Sequence, residues 1–493
     1  MWFTLALALL PQAAERPAPN RTDLGKAYMR FERALARHPL AEARVAEANR
    51  AFDALTLDFF MGNGKAAIAK LDALTISLAP LELLTVAERE DVFDMHVEVE
   101  PVDEASGRLS ITTRGNWSAP DGCEPLRIVF QARMGDSIRT LEDHSDAHPP
   151  GKLPGETSVL LRASLPDLKF IRDAYDLGLT CPPERARSSS PTLLVRICDE
   201  LVPLPYAFLD TSALVTCRTE VVGLLDVVEP DGPPLEIALA SCRARAALLT
   251  QEAQKTSTYL IGRDVHALAA EVHREAHALV NGTDPYRRLP GDTWRVVRIG
   301  KSDVPVRVFA PRTGDLDKPL PLVVLFHGMG GDENMFFDGY GAGRIKDLAE
   351  ERRFVCVAPR GGFAPMTPEA FDALVRAMLF DYAVDTKRIY VLGHSMGAGT
   401  AFELAVSRSD RIAAAACIAG GASNATPKSL APLLVVAGEL DSLVAAKPLV
   451  ARAERLAQSG FTVEARTVPN QGHTLVVGAT LPAVVDWLLA HSR

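Results

Sequence analysis

The sequence predicts an α/β fold for its C-terminal region, a mostly parallel sheet flanked by helices, preceded by a helical segment and a β-rich, sandwich-like region. Continuous apolar runs in the C-terminal region, such as residues 320–326, alternate with helical stretches, as is typical of buried parallel strands. Residues 24–90 have apolar residues at helical spacing, whereas residues 92–229 contain alternating, strand-like runs. These patterns predict five segments: a signal peptide at 1–19, a helical region at 20–91, a β-rich domain at 92–230, a helical connector at 231–285 and an α/β domain at 286–493.

Composition and charge limit the classes of partner. The chain has 493 residues, of which 47% are hydrophobic and 23% charged, as in ordinary globular proteins. Its net charge of −9 and its lack of basic clusters argue against nucleic acid or an anionic membrane surface as the main partner. No apolar stretch reaches the roughly 18 residues that a membrane-spanning helix needs, so we expect no integral span. The sequence leaves the oligomeric state open.

The first residues resemble the apolar part of a secretory signal peptide. Residues 1–10 are a short apolar run, followed by Pro11 and small residues at Ala13 and Ala14. No Lys or Arg precedes the run, and Gln12 is a poor residue three positions before a cleavage site, so a buried N-terminal element is the alternative. Because polar, proline-containing sequence follows, we favour a removed signal and an extracytoplasmic (periplasmic or secreted) location over a cytoplasmic one.

Turn signals divide the front half into its elements. The break at residues 62–64 predicts two or three helices before residue 91, as in a helical hairpin. Alternating runs at residues 95–100, 108–113, 126–130 and 158–162 predict strands of a small β-sandwich. Residues 234–279 return to helical spacing, and residues 281–285 form a turn that marks the next boundary.

Two histidine-containing segments could suggest a metal, but neither has the pattern of a metal site. His273 and His277 are four residues apart on one helix face, yet the His-Glu-x-x-His order and a third ligand are absent. The acids and histidines of residues 143–148 lie in a proline-bounded polar segment that is typical of a solvated loop. We therefore expect no metal.

The most informative motif is Gly393-His-Ser-Met-Gly397, which places Ser395 between an apolar strand and a helical stretch. A G-x-S-x-G sequence in this context is typical of a nucleophile elbow, a strained turn that exposes a serine hydroxyl. Gly393 and Gly397 would avoid the clash that side chains cause in so tight a turn. Ser395 is therefore the candidate nucleophile.

Candidates for the other two members of a triad follow in the expected order. Residues 432–438 form an apolar strand that ends in acids, of which Asp441 is the candidate and Glu439 the competitor. His473 comes after the next strand, in a loop before the closing helix. Each residue alone has a simpler explanation, since Asp441 could cap a helix and a loop histidine is usually solvated. Upstream, the strand at residues 320–326 runs into a glycine-rich loop. This loop and the three candidates, in the order Ser, Asp, His at successive strand ends, together favour a catalytic triad.

The region from Trp294 to Arg493, about two fifths of the chain, resembles the α/β-hydrolase superfamily. The resemblance is carried by residues 327–334 (His-Gly-Met-Gly-Gly-Asp-Glu-Asn), by residues 384–397 and by the acid and histidine segments at residues 438–441 and 472–473. Within the superfamily, it is most similar to the esterase group that includes polyhydroxybutyrate-depolymerase-like, feruloyl-esterase-like and dienelactone-hydrolase-like proteins.

This resemblance implies a serine hydrolase that cleaves carboxylic esters through a Ser-Asp-His triad and an acyl-enzyme, with no cofactor. It also implies an oxyanion hole built from the backbone N–H groups of Met329 and Met396. His327 would fix the oxyanion loop, and His394 would fill space behind the elbow. The predicted partner is a small-molecule ester.

Two alternatives to ester hydrolysis stay open. The same triad could cleave amides in a peptidase of the same fold, or the N-terminal domains could make this a binding or scaffold protein. The loop at residues 422–425 is too short for the lid that many relatives insert there. Residues 332–340 and 363–380 are candidates for the pocket walls, and the front half could roof the site or be an independent module.

Overall fold

The computed structural model describes residues 20–78 and 212–493, apart from 362–365 and 423, together with eight strands between residues 96 and 208. The predicted signal peptide at 1–19 lies outside the described residues. Within the described part of the chain, no helix has the length and apolar character that crossing a membrane requires.

The described residues 20–78 form three helices, in agreement with the helical spacing: α1 (Arg21–Arg37), α2 (Glu42–Phe60) and α3 (Gly64–Leu78). Asn20 begins α1 with a capping box, because its side chain accepts from the amides of Thr22 and Asp23. Gly62 adopts a positive φ of 79° and turns the chain from α2 into α3. The three helices share an apolar cluster that also contains Leu475 from the C-terminal region.

The described strands between residues 96 and 208 form two four-stranded sheets. Their strands are β1 (His96–Val102), β2 (Arg108–Arg114), β3 (Val129–Met134), β4 (Ser137–Asp143), β5 (Thr157–Arg162), β6 (Thr192–Ile197), β7 (Glu200–Leu204) and β8 (Ala207–Phe208). One sheet has the order β5-β2-β1-β8 and the other β4-β3-β6-β7. All pairs are antiparallel except β1 with β8. Packing of the two sheets as a sandwich stays a prediction.

The helical connector begins earlier than the sequence predicts. Its helices are α4 (Ser212–Asp226), α5 (Pro233–Ala247), α6 (Gln251–Thr256) and α7 (Val265–Val280). Helix α4 lies inside the segment 92–230 that we expected to be β-rich. Its Val and Thr content favours a strand, but Leu214, Val221 and Leu225 are spaced along one helical face and are buried against the other connector helices.

The C-terminal region contains one eight-stranded, mostly parallel sheet with helices on both faces. Its elements are β9 (Gly291–Ile299), β10 (Ser302–Ala310), β11 (Leu320–Phe326), α8 (Tyr340–Arg352), β12 (Val355–Pro359), α9 (Pro368–Asp381), β13 (Val384–His394), α10 (Met396–Ser407), β14 (Ala414–Ile418), β15 (Leu433–Gly438), α11 (Ala446–Gln458), β16 (Val463–Val468) and α12 (Leu475–Leu489). The strand order is β16-β15-β14-β13-β11-β12-β10-β9, and only the pairs β9–β10 and β10–β12 are antiparallel.

Two apolar layers cover this sheet, and they explain why its central strands are apolar throughout. Val324 and Phe326 of β11 face the layer that contains α9, α10 and α11, whereas Val323 and Leu325 face α8 and α12. Because β11, β13, β15 and β16 are parallel, their C-terminal ends meet at one edge of the sheet. The loops that carry the candidate site residues follow these ends.

Candidate active site

Ser395 lies in a strained turn between β13 and α10. Its φ of 54° and ψ of −115° are unusual for a residue with a side chain, and its amide donates to the Ile418 carbonyl at 2.9 Å. A Cβ on Gly393 would lie 2.0 Å from the Gly397 carbonyl oxygen, and one on Gly397 would lie 2.2 Å from the Phe326 oxygen. Both glycines are therefore required by the close approach of backbone, as the motif predicts.

The structure brings Ser395, His473 and Asp441 into one hydrogen-bonded chain. The distance from Ser395 Oγ to His473 Nε2 is 2.9 Å, and the distance from His473 Nδ1 to Asp441 Oδ2 is 2.8 Å. Because an ionised carboxylate only accepts, His473 carries its proton on Nδ1, which leaves Nε2 to accept from the serine hydroxyl. Asp441 and His473 are both buried. This arrangement can transfer a proton from a nucleophilic serine to an imidazole.

The two acids at the end of β15 have different partners. Asp441 Oδ1 accepts from the amides of Leu443 and Val444 at 2.9 and 2.7 Å, which leaves Oδ2 for His473. The carboxylate of Glu439 instead accepts from the Asn470 amide at 3.0 Å. Asp441 thus caps the following turn and also contacts the histidine.

His394 does more than fill space behind the elbow. Its Nε2 lies 3.0 Å from the carbonyl oxygen of His473, which can only accept, so Nε2 is the protonated nitrogen. Its Nδ1 then accepts from the Tyr340 hydroxyl at 2.8 Å. Burial, followed by the neighbouring His473 ring, lowers the pKa of His394 to about 3. A neutral His394 therefore connects the elbow to the loop that carries His473, a role that the sequence did not suggest.

The glycine-rich loop after β11 packs against the elbow. A Cβ on Gly328 would lie 3.4 Å from the Ser395 Cβ, so the loop and the elbow are in close contact. The next residue is Met329, and no described residue accepts a hydrogen bond from its amide. Met396 is the first residue of α10, where a helix leaves its amides without internal acceptors. His327 Nδ1 lies 2.8 Å from the Gly328 oxygen, and its Nε2 accepts from the Gly361 amide at 3.1 Å. His327 thus holds this loop in place.

Comparison with known proteins agrees with this architecture. Residues 321–471 match the family model described as alpha/beta hydrolase fold. The C-terminal region has the α/β-hydrolase fold. This confirms the resemblance and the fold class that the sequence indicates for that region.

Several solved structures are similar to parts of this chain. S-formylglutathione hydrolase from Staphylococcus aureus matches 40% of this chain and 97% of its own chain, at 14% identity and a TM-score of 0.34. A feruloyl esterase module from Clostridium thermocellum matches 41% of this chain and 90% of its own, at 15% identity and a TM-score of 0.33. A thermostable esterase matches 81% of this chain and 99% of its own, at 15% identity and a TM-score of 0.36.

A cavity of about 160 Å³ is lined by three of the candidate site residues, Ser395, His473 and Met329, and by the N-terminal helices. Ser395 and His473 lie on its hydrolase side, together with the glycine-rich loop and several residues between 332 and 340. The N-terminal helices contribute mainly apolar side chains to its other wall: Leu24, Tyr28, Met29, Phe52, Leu55, Phe59, Phe60 and Leu71. Only 14 residues separate β14 from β15, and α1–α3 form a wall of the cavity beside Ser395.

The second wall that the sequence suggested is residues 363–380, and its described part, residues 366–380, does not line the cavity. Helix α9 occupies most of this segment, and Phe371 and Leu374 are buried in the sheet layer because they follow its apolar face. Residues 362–365 lie outside the described residues. The wall prediction is therefore right for residues 332–340 and wrong for α9.

Contacts from the front half also reach the glycine-rich loop. Arg21, at the start of α1, donates to the Gly331 carbonyl at 2.6 Å and to Asp332 Oδ2 at 3.2 Å. Thr258, after α6, donates to the same carboxylate oxygen at 2.5 Å. Both the N-terminal helices and the connector therefore contact the loop beside Ser395.

Helix α2 contributes two buried polar residues that sequence reasoning missed. Asp53 Oδ1 accepts from the His473 amide at 2.9 Å, and its Oδ2 accepts from the Ser442 amide at 3.1 Å. Asn49 Oδ1 accepts from the Gly472 amide at 2.6 Å. The signal that could have revealed them is an Asn and an Asp four residues apart on the apolar face of α2, where unpaired polar groups are costly.

The part of the chain that the structure describes contains no group of three or more His, Cys, Asp or Glu side chains that could hold a metal ion. His273 and His277 contact each other on α7, with ring centroids 4.6 Å apart. The segment 144–148 lies outside the described residues. The structure therefore adds no candidate ligand set to those weighed from the sequence.

Proposed function

We propose that this protein is a serine hydrolase that cleaves carboxylic esters, with Ser395 as nucleophile, His473 as general base and acid, and Asp441 as the carboxylate that orients His473. The observation that carries the proposal is the continuous hydrogen-bonded chain from Ser395 Oγ through His473 to Asp441, at 2.9 and 2.8 Å. Ser395 lies in a strained elbow beside a cavity, and this position makes its hydroxyl available to a substrate.

The proposed reaction has two halves. His473 Nε2 takes the proton from Ser395 as Oγ attacks the ester carbonyl carbon, and Asp441 stabilises the imidazolium that forms. The amides of Met329 and Met396 donate to the developing oxyanion, with each such donor worth about 3 kcal/mol in comparable sites. His473 then protonates the leaving alcohol, and a water that it deprotonates cleaves the acyl-enzyme. No step needs a cofactor.

We further propose that the preferred esters carry a short or aromatic acyl group. The cavity of about 160 Å³ is close in size to the cavity of about 150 Å³ that holds benzene in a well-studied protein. Its helical wall is mainly apolar, which favours an uncharged acyl group. Phe59 packs closely over the glycine-rich loop, since a Cβ on Gly330 would lie 2.5 Å from its ring.

Covalent labelling tests the nucleophile. Purified protein treated with a fluorophosphonate probe should carry the label on Ser395, as mapped by mass spectrometry. The Ser395→Ala variant should neither label nor turn over esters, although it should unfold at the same temperature. A label on another serine would assign the reaction to that residue instead.

A substrate panel tests the acyl preference. We expect p-nitrophenyl acetate, p-nitrophenyl butyrate and feruloyl esters to have higher kcat/KM than p-nitrophenyl palmitate or peptide anilides. Phe59→Ala should enlarge the cavity and move the preference to longer acyl chains, whereas the control Leu57→Ala, on the exposed side of α2, should leave it unchanged. Efficient anilide cleavage would indicate a peptidase, and no turnover of any compound would favour a binding or scaffold protein.

A further inference from the structure

Helix α2 reaches both loops that carry the proposed partners of Ser395. The amide of His473 donates to one oxygen of Asp53 at 2.9 Å, and the amide of Ser442, the neighbour of Asp441, donates to the other at 3.1 Å. The Ser442 hydroxyl lies 3.3 Å from the same second oxygen. One carboxylate therefore connects the loop of the acid to the loop of the base.

Asn49 extends this connection by one residue. It lies one helical turn before Asp53, and its Oδ1 accepts from the Gly472 amide at 2.6 Å. Its own amide group is held in place, since Nδ2 donates to the Val45 carbonyl at 2.9 Å. Two side chains of α2 thus bind the consecutive amides of residues 472 and 473, and both side chains are almost fully buried.

The fit between the helix and the loop is close. A Cβ on Gly472 would lie 2.7 to 2.9 Å from the carboxylate of Asp53, so only glycine allows this approach. Burial raises the pKa of Asp53, while its hydrogen bonds from the Ser442 and His473 amides lower it. Buried amides and carboxylates that lose a partner are costly, so the contact holds the two loops at a defined separation.

We propose that Asp53, supported by Asn49, is a positioning residue that holds Asp441 and His473 in hydrogen-bonding register with Ser395. The proposal rests on the proposed function of these three residues and adds that the N-terminal helices are a working part of the active site. Because Asp53 bonds to the two loops and does not line the cavity, its loss displaces the base without removing the binding cavity.

The test is the Asp53→Asn variant of the full-length chain. Asparagine keeps one oxygen that can accept from either the His473 or the Ser442 amide. Its NH₂ group cannot accept from the other amide, so the loop that carries that amide loses its hydrogen bond to α2. We expect kcat for p-nitrophenyl butyrate to fall about 10- to 100-fold, as a small misplacement of a catalytic group does, with KM changed little. The rate of fluorophosphonate labelling should fall in parallel.

Asp58→Asn is the matched control. It makes the same substitution on the same helix, where Asp58 pairs with Lys70 of α3 at 2.5 Å, away from the cavity lining. It should keep the wild-type kcat. Rates are expressed per folded molecule by determining the folded fraction of each variant from circular dichroism at the assay temperature.

A kcat of Asp53→Asn within twofold of wild type would overturn the proposal, and so would a rise in KM with constant kcat. If Asp53→Asn does not fold, Asn49→Ala decides, because it removes only the bond to the Gly472 amide and should lower kcat without changing KM. Absence of turnover and labelling in the wild type would instead overturn the proposed function, which separates the two failures.

Discussion

Asp441 and Glu439 are two residues apart at the end of one strand, yet only Asp441 points its free oxygen at His473. Two backbone amides hold the other oxygen of Asp441, so its orientation does not depend on the histidine. Glu439 binds the amide of Asn470, a residue with a positive φ of 61° in the loop before His473. Backbone partners thus give the two acids different contacts, and the acid that contacts His473 is Asp441, the candidate that the sequence favoured over Glu439.

If Asp441 is the triad carboxylate, as proposed, Asp441→Asn should lower kcat/KM on the order of 10⁴-fold, as the equivalent change does in known Ser-His-Asp enzymes. An asparagine amide in place of Oδ2 would favour the wrong tautomer of His473. Glu439→Gln should leave kcat/KM nearly unchanged, because an amide oxygen can still accept from Asn470. Steady-state kinetics on p-nitrophenyl butyrate measure both variants, and the opposite ranking would transfer the role to Glu439.

Among the elements, α1 contacts the hydrolase region through a buried acid. Glu32 accepts from the Tyr28 hydroxyl at 2.7 Å and from the Gly341 amide, at the start of α8, at 3.2 Å. Burial raises the pKa of Glu32 to about 7, although both hydrogen bonds lower it. The carboxyl group is therefore more readily protonated in the folded protein than in the unfolded chain, where it has its ordinary pKa of about 4.3.

This raised pKa predicts a pH-dependent stability. The neutral Glu32 carboxyl contributes fully to the free energy of unfolding below about pH 4.3. This contribution is lost as the pH rises through about 7, which lowers the free energy of unfolding by an amount on the order of 3 kcal/mol. Glu32→Gln should remove this dependence, because glutamine stays neutral and can still bond to Tyr28 and Gly341. Urea unfolding at pH 5 and pH 8 measures it, with Glu47→Gln, an exposed position on α2, as control. Equal pH dependence in wild type and Glu32→Gln would contradict the prediction.

For the whole molecule, a buried arginine connects the helical connector to the hydrolase sheet. Arg245 of α5 pairs with Glu275 of α7 at 2.9 Å and donates to the Trp294 carbonyl of β9 at 2.9 Å. Tyr286 donates to the same carboxylate at 2.7 Å. The connector therefore packs as part of the hydrolase region and is not a flexible tether.

We predict that Arg245→Met lowers the free energy of unfolding by about 3–5 kcal/mol, because it leaves the buried Glu275 without its cation. Arg243→Met is the control, since its ion pair with Asp226 is half-exposed and such pairs contribute at most about 1 kcal/mol. Urea denaturation of both variants gives the comparison. Similar values for the two variants would show that the buried pair does not hold the connector in place.

The sequence by itself determined the features that depend on neighbouring residues. Apolar runs specify the buried strands, and Gly393 and Gly397 specify the elbow, because local sterics allow little else there. The order of Ser395, Asp441 and His473 followed from the ends of those strands. Tertiary structure decided that α1–α3 line the cavity, that α9 does not, and that Asp53 binds the His473 amide across 420 residues of sequence. No local pattern encodes such contacts, since they depend on which buried polar groups meet when distant segments pack.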